Sequence, residues 1–252
     1  MIELKKDELV DIAGPLGNIV AVLTPCTNQE AARPVLIVAH GFRGSKEGGG
    51  RAAYLAKIAG EIVHVLRFDF NGSQLLTKQI AELEAVICYV KARFAGSRII
   101  LLGRSLGGSA ALVAAERDPM INALALWATP HDLRGTFRKA LGEVAYQQLE
   151  QGIDLYLNDE RGEMTLTASF LRDLDRYNLP AILQQWQKRP LLIIHGEKDE
   201  TVVLEQAQLA FSWAGLPKKL VVIPRADHSF SAHGNRASEE VVAWLEYVVA
   251  RK

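Results

Sequence analysis

Residues 98–115 constrain the fold of this chain more than any other stretch. Arg98-Ile99-Ile100-Leu101-Leu102 reads as a buried strand, Gly103-Arg104-Ser105-Leu106-Gly107-Gly108 follows, and Ser109 to Ala115 is a run of good helix formers. A strand that passes through a glycine turn straight into a helix is one step of a parallel sheet with helical crossovers. The turn forces its central serine into a strained backbone conformation, and side chains at 103 and 107 would collide across it, so glycine is required at both. The hexapeptide fits G-x-S-x-G, the pattern of a turn that presents a serine hydroxyl above the sheet. Such a match arises often by chance. Its place between a strand and a helix gives it weight.

Two later segments add to it. Leu191-Leu192-Ile193-Ile194-His195-Gly196-Glu197-Lys198-Asp199 and Val221-Val222-Ile223-Pro224-Arg225-Ala226-Asp227-His228-Ser229-Phe230 are apolar runs that end in polar residues, as where a buried strand empties into a loop. The chain order is therefore Ser105, Asp199, His228, the order of the serine, acid and histidine in one class of triad hydrolase. Upstream, Pro34-Val35-Leu36-Ile37-Val38-Ala39 is another buried run and ends in His40-Gly41-Phe42, a loop able to supply a backbone amide to a developing oxyanion.

These four motifs, in this order, resemble those of the serine α/β-hydrolases over nearly the whole chain. The nearest subgroup by resemblance is the small bacterial esterases with a compact cap, cinnamoyl and feruloyl esterases among them. The resemblance implies an α/β-hydrolase fold, a mostly parallel twisted sheet with helices on both faces, and no cofactor or metal. It also implies Ser105 as nucleophile, His228 as base, Asp199 as the orienting acid, and the Phe42 and Leu106 amides as oxyanion donors.

The pattern along the chain agrees. Strand-like runs at Val35–Ala39, Ile62–Phe68, Ile99–Leu102, Ala123–Trp127, Leu191–His195 and Leu220–Ile223 alternate with helical segments, and residues 1–24 read as two or three short strands. Leu76, Ile80, Leu83, Ile87, Val90 and Phe94 recur at helical spacing, as do Val241, Trp244, Leu245, Val248 and Val249. After Trp127 the rhythm breaks: about 60 residues precede Leu191, far more than one crossover helix needs. Residues 131–189 are thus expected to be a cap inserted into a core of 1–130 and 190–252. Pro130 and Pro190 bracket it, and it carries Phe137, Tyr146, Tyr156, Phe170, Tyr177 and Trp186. Near the carboxyl ends of the strands it would serve as a substrate lid with apolar walls.

The 252 residues suffice for one large domain with a sizeable core, and 49% hydrophobic content argues against disorder. The 29 basic and 29 acidic residues cancel, so neither nucleic acid nor an anionic membrane gains electrostatic support as a partner. Cys26 and Cys88 form neither a metal-ligand pattern nor a disulfide framework, and Met1 to Glu8 lacks the apolar core of a signal peptide. A reduced, cytoplasmic protein acting on a small-molecule ester is the expectation, with the oligomeric state open.

Six histidines compete for the role of base. His64 lies inside an apolar strand. His195 closes a strand and is expected to pack beneath its loop. His40 braces its own loop, and His131 opens the cap within possible reach of the cleft. His233 is the main competitor of His228, but His228 lies directly after the last strand, and Asp-His-Ser-Phe resembles the family's histidine segment. Among the acids, the resemblance to His-Gly-x-x-Asp loops favours Asp199. Glu197 and Glu200 are expected to face solvent or cap the next helix, and Asp227 to form a turn. Arg104 is expected to pair with a carboxylate or to be exposed. Gly48-Gly49-Gly50 lacks the Lys-Ser/Thr of a phosphate loop and reads as a flexible approach to a helix near Arg51. The family's Gly-rich loop after Arg67–Gly72 is cut here to Ser73-Gln74, which alters one wall of the cleft.

The leading function is hydrolysis of carboxylic esters of small to medium acyl or aryl acids through an acyl-enzyme on Ser105. A thioesterase or small-peptide hydrolase would use the same triad, and a binding protein could keep the fold without the chemistry. A serine at the turn argues against dehalogenase or epoxide-hydrolase chemistry, whose enzymes place an aspartate there.

Overall fold

The computed structural model describes residues 6–28, 32–72, 74–159 and 162–251. Ser73 lies outside them. In chain order the strands are β1 (Glu8–Gly14), β2 (Gly17–Thr24), β3 (Val35–Ala39), β4 (His64–Phe68), β5 (Ile99–Arg104), β6 (Ile121–Trp127), β7 (Leu155–Asp159), β8 (Gly162–Leu166), β9 (Leu191–Gly196) and β10 (Lys218–Ile223). The helices are α1 (Arg51–Ala59), α2 (Leu76–Arg93), α3 (Leu106–Arg117), α4 (Leu133–Leu141), α5 (Glu143–Glu150), α6 (Ser169–Leu174), α7 (Leu179–Gln185), α8 (Leu204–Trp213) and α9 (Gly234–Ala250).

Eight strands form one open sheet in the order β1-β2-β4-β3-β5-β6-β9-β10. From β4 to β10 every pairing is parallel, whereas β1 and β2 pair antiparallel through the Gly14–Gly17 turn. The central strands are apolar on both faces because both are covered. Val35, Leu36 and Ile37 of β3 are all 0% exposed. Ile37, Leu101 and Leu124 join the layer that holds α2 and α3, while Leu36, Ile100 and Ala123 join the layer that holds α1 and α9. Parallel strands place their carboxyl ends at one edge, so the loops after β3, β5, β6, β9 and β10 gather there.

Residues 131–189 form α4, α5, the β7–β8 hairpin, α6 and α7. Asp132 and Asn178 begin α4 and α7 by accepting the Gly135 and Ala181 amides at 2.9 and 3.1 Å, which satisfies first-turn donors that have no helical partner. Phe137, Tyr146, Phe170 and Trp186 are buried within the same apolar cluster as α2 and α3. Four of the aromatics anticipated as lid walls are therefore buried among core side chains. Gly48–Gly50 forms a 3₁₀ turn leading into α1.

Candidate active site

Ser105 stands between β5 and α3 with φ 50° and ψ −126°, a region that side chains rarely enter. Such a conformation costs about 1–3 kcal/mol. Its neighbours hold it there. The Ser105 amide donates to the Trp127 carbonyl at 2.9 Å, and the Ser105 carbonyl accepts from Gly108 at 2.8 Å. Each such bond contributes about 0.5–1.5 kcal/mol, and full burial of Leu106, at 0% exposure, about 1.5–3 kcal/mol. Together these contributions are of the size needed to hold the strain. A Cβ on Gly103 would strike the backbone of Gly107 and Gly108, and one on Gly107 would strike the His40 carbonyl. The two glycines thus let the turn close on itself and let the loop after β3 press against it.

That loop, His40-Gly41-Phe42-Arg43-Gly44, passes directly beside the serine. A Cβ on Gly41 would lie 3.0 Å from Ser105 Cβ. Gly44 N–H closes the loop on the Gly41 carbonyl at 2.9 Å. His40 Nε2 accepts the Phe70 amide at 3.1 Å, so His40 Nδ1 carries the proton that goes to Gly41 O at 2.9 Å. Burial holds the His40 pKa below its ordinary value, which keeps this ring neutral and bracing. The Leu106 amide opens α3, where the first N–H groups lack helical acceptors and the helix dipole favours negative charge.

The loops after β9 and β10 bring Asp199 and His228 together. His228 Nδ1 donates to Asp199 Oδ2 at 2.9 Å and lies 3.0 Å from Oδ1. Oδ1 also accepts the Thr201 and Val202 amides at 3.0 and 2.8 Å. The Asp199 side chain is 0% exposed and that of His228 16%, so the carboxylate is fixed and dry while the ring reaches the surface. The bond to Asp199 commits the proton to Nδ1 and leaves Nε2 as the acceptor. Among the described residues no hydrogen bond joins Ser105 Oγ to the His228 ring.

Several contacts missed in the sequence stitch these loops. Glu197 Oε2 accepts the Arg225 amide at 2.9 Å, and Glu200 Oε2 accepts the His228 amide at 3.2 Å. These glutamates were expected to face solvent or cap a helix; although exposed, they brace the histidine loop. Arg104 Nη2 donates to the His228 carbonyl at 2.8 Å, tying the serine turn to that loop through a backbone oxygen. Gly196 admits the close approach, since a Cβ there would strike the Ala226 carbonyl. Asp227 accepts from the Ser231 amide and hydroxyl at 2.8 and 2.7 Å, bonds that lower its pKa, and so forms the turn. Phe230, 0% exposed, anchors the far side against Trp127 at 5.3 Å between ring centroids.

The other histidines lie elsewhere. His195 is wholly buried, with Nε2 donating to Val202 O at 2.7 Å and 3.4 Å from Asp199 Oδ2. Burial outweighs the carboxylate and lowers its pKa. His131 packs on Trp213 at 4.7 Å, His64 accepts the Cys26 amide, and His233 precedes α9 at its N-cap position without a side-chain capping bond. Among the described residues no group of three His, Cys, Asp or Glu is arranged to hold a metal ion, and no helix is long and apolar enough to cross a membrane.

Comparison with known proteins places this arrangement. The model of the prolyl oligopeptidase family matches residues 71–251, well over half of the chain. The chain belongs to the prolyl oligopeptidase family. A Bacillus subtilis (strain 168) protein named "Putative esterase YitV" is 30% identical over 198 residues, covering 69% of this chain and 72% of its own. Est1E from Butyrivibrio proteoclasticus superimposes with a TM-score of 0.81 at 25% identity, over 96% of this chain and 99% of Est1E. A second Est1E structure, with ferulic acid bound, gives the same TM-score at 24% identity, over 96% and 100% of the two chains. The fold is that of the α/β-hydrolases, and the family and its esterase-like relatives mark this chain as a hydrolase.

Proposed function

We propose that this protein hydrolyses carboxylic esters of small to medium acyl or aryl acids through an acyl-enzyme on Ser105. The observation that carries the reading is the buried Asp199 carboxylate bound to His228 Nδ1 at 2.9 Å, on a loop that Arg104 ties to the serine turn at 2.8 Å. A serine hydroxyl is a weak nucleophile at neutral pH and needs a base held in the right tautomer. His228 Nε2 takes the hydroxyl proton as Ser105 Oγ attacks the ester carbonyl. The Phe42 and Leu106 amides receive the oxyanion. Collapse breaks the acyl–oxygen bond, and the alcohol leaves with the proton from His228. Water, deprotonated by the same Nε2, attacks the acyl-enzyme and frees the acid and Ser105. Contact between serine and base in a ligand-free site is commonly long and tightens when substrate binds.

Ferulic acid on Est1E supports an aryl acid as the acyl group. Membership of the prolyl oligopeptidase family favours a second reading, in which the same residues cleave a short peptide. Two measurements test these. A fluorophosphonate probe labels the wild type and not Ser105→Ala if Ser105 is the nucleophile; equal labelling overturns the mechanism. Turnover of aryl esters of two to twelve carbons and of methyl ferulate, against matched p-nitroanilides, separates ester from amide hydrolysis. Faster anilide cleavage overturns the ester reading.

A further inference from the structure

Arg43 follows Phe42 and occupies the third position of the Gly41–Gly44 turn with φ 52°. Glycine or asparagine is the ordinary residue at such a φ, and a long side chain there is strained. The strain is held by what the side chain does. Only 6% of it is exposed, and its guanidinium forms a two-pronged pair with Asp159, Nη1 to Oδ2 and Nη2 to Oδ1 at 2.9 Å each. Nη2 also donates to the Gly162 carbonyl. Asp159 ends β7 and Gly162 begins β8, so one arginine grips both arms of the hairpin at its tip. The Arg43 amide donates to Gln74 Oε1 at 3.1 Å. Phe42 itself meets the same segment from the other side, its ring 5.2 Å from Phe137 and 6.0 Å from Phe170. Residues 41–44 themselves lie in no helix or strand.

We propose that Arg43 is a positioning residue that couples the β7–β8 hairpin to the oxyanion site, setting the direction of the Phe42 amide from the 131–189 segment. The proposal rests on the reading of Phe42 as an oxyanion donor. Planar, paired hydrogen bonds fix orientation as well as distance, which a lysine at this place could not do. Arg43 touches no reacting atom. Loss of its grip lets the amide swing, which weakens binding of the tetrahedral intermediate and leaves ground-state binding intact.

The test compares Arg43→Ala, Arg43→Gly, Arg43→Lys and Asp159→Ala in the full chain. Loss of a whole oxyanion donor costs about 10²–10³ in kcat; a misdirected one should cost about 10–100-fold. Arg43→Ala and Arg43→Gly should therefore lose about 10–100-fold in kcat on p-nitrophenyl acetate, with KM changed by less than about threefold. Affinity for a trifluoromethyl ketone, whose serine adduct places an oxyanion in the site, should fall in parallel. Arg43→Gly relieves the strain at φ 52° and should melt no lower than Arg43→Ala while being equally slow, which a merely structural role would not produce. Arg43→Lys should recover little. Asp159→Ala, at a half-exposed carboxylate, should lose at least about fivefold in kcat, and the Arg43→Ala/Asp159→Ala double variant should be no slower than Arg43→Ala alone. Wild-type kcat in Arg43→Gly, or in Asp159→Ala, overturns the coupling. Ser105→Ala run beside them separates the two ideas: if it is inactive and Arg43→Gly is fast, the coupling alone fails, whereas turnover by Ser105→Ala removes the reading on which it rests.

Discussion

His228 Nδ1 lies 2.9 Å from Asp199 Oδ2, and the carboxylate that receives it is wholly buried. A charge so placed is held by two backbone amides and one imidazole, and no other acid among the described residues shares that position. Asp199→Asn keeps the shape but offers an amide to Nδ1, which turns the ring toward the wrong tautomer. On the proposed mechanism kcat should fall by about 10⁴, the loss that follows such an exchange in other triads. Glu197→Gln and Glu200→Gln keep an acceptor for the Arg225 and His228 amides and should lose less than about tenfold. Steady-state rates on p-nitrophenyl acetate decide. Near-normal turnover in Asp199→Asn, with a dead glutamate variant, would move the acid.

His228 and His233 are five residues apart and differ in what holds them. His228 is bound to the carboxylate, while His233 sits at the N-cap position of α9 with its backbone amide donating to the Phe230 carbonyl at 3.0 Å. His228→Ala should be inactive to within the residual rate left by oxyanion binding, and His233→Ala should keep most of its turnover. The reverse order of rates would assign the base to His233.

Arg104 spans the gap between serine turn and histidine loop through the His228 carbonyl. A hydrogen bond from a charged donor is worth about 1.5–3 kcal/mol, enough to let the loop drift when it is lost. Arg104→Ala should lower kcat/KM by about 10–100-fold with a modest fall in Tm, and Arg104→Lys should restore part of it. Unchanged kinetics in Arg104→Ala would show that the glutamate contacts and Phe230 suffice to hold the loop.

The legible part of this molecule is the part written in runs. Val35–Ala39, Leu191–Gly196 and the Gly103–Gly108 turn announce themselves because strands buried on both faces are continuously apolar and because a tight turn admits only glycine. That Asp199 and His228 leave adjacent strands could be anticipated from the same runs; that they touch is seen only in three dimensions. Arg43, Arg104, Glu197 and Glu200 were illegible for a common reason. Each acts on a residue between 28 and 124 positions away through backbone oxygens, backbone amides or a single carboxylate, and no local pattern encodes such a partner. The aromatics of 131–189 are ambiguous in another way: an aromatic stripe reads the same whether it lines a cleft or fills a core.

Phe170 bears on that last point. It is 0% exposed and lies 4.7 Å from Phe137 and 6.0 Å from Phe42. Truncating such a ring costs about 3–5 kcal/mol, which in a chain of this size lowers Tm by roughly 10 °C. Phe170→Ala should show that loss in calorimetry or urea unfolding. Removal of 131–189 as a block should prevent folding, since it strips Phe137, Tyr146, Phe170 and Trp186 from the layer that covers α2 and α3. A stable, soluble protein lacking the segment would mean that it packs as a separate unit.

His195 makes stability depend on pH in a direction its surroundings fix. Burial lowers its pKa despite the Asp199 carboxylate 3.4 Å away, and His40 is shifted the same way. In the unfolded chain both titrate near pH 6.5. As pH falls below that value the unfolded state takes up protons that the folded state refuses, so folding stability drops; above it the difference vanishes. Each group contributes at most about 1.4 kcal/mol per pH unit. Asp227 and Asp175 have lowered pKa values, so the stability they supply is present above the ordinary carboxylate range and is lost only as pH falls through it. His131 is lowered by burial like the other two histidines, while burial raises Glu82, which opposes them, so the comparison with a His195 variant isolates the histidine. Urea unfolding at pH 7.5, 6.5, 5.75 and 5.0 should give a stability that is nearly level at the top of the range and falls through the lower half. His195→Gln, with the titratable ring gone, should start less stable at pH 7.5 because the bond to Val202 O is weakened, yet fall less steeply below pH 6.5. Parallel curves for the two proteins would mean that His195 takes up a proton in the folded state as readily as in the unfolded chain, and that its burial leaves no mark on the titration.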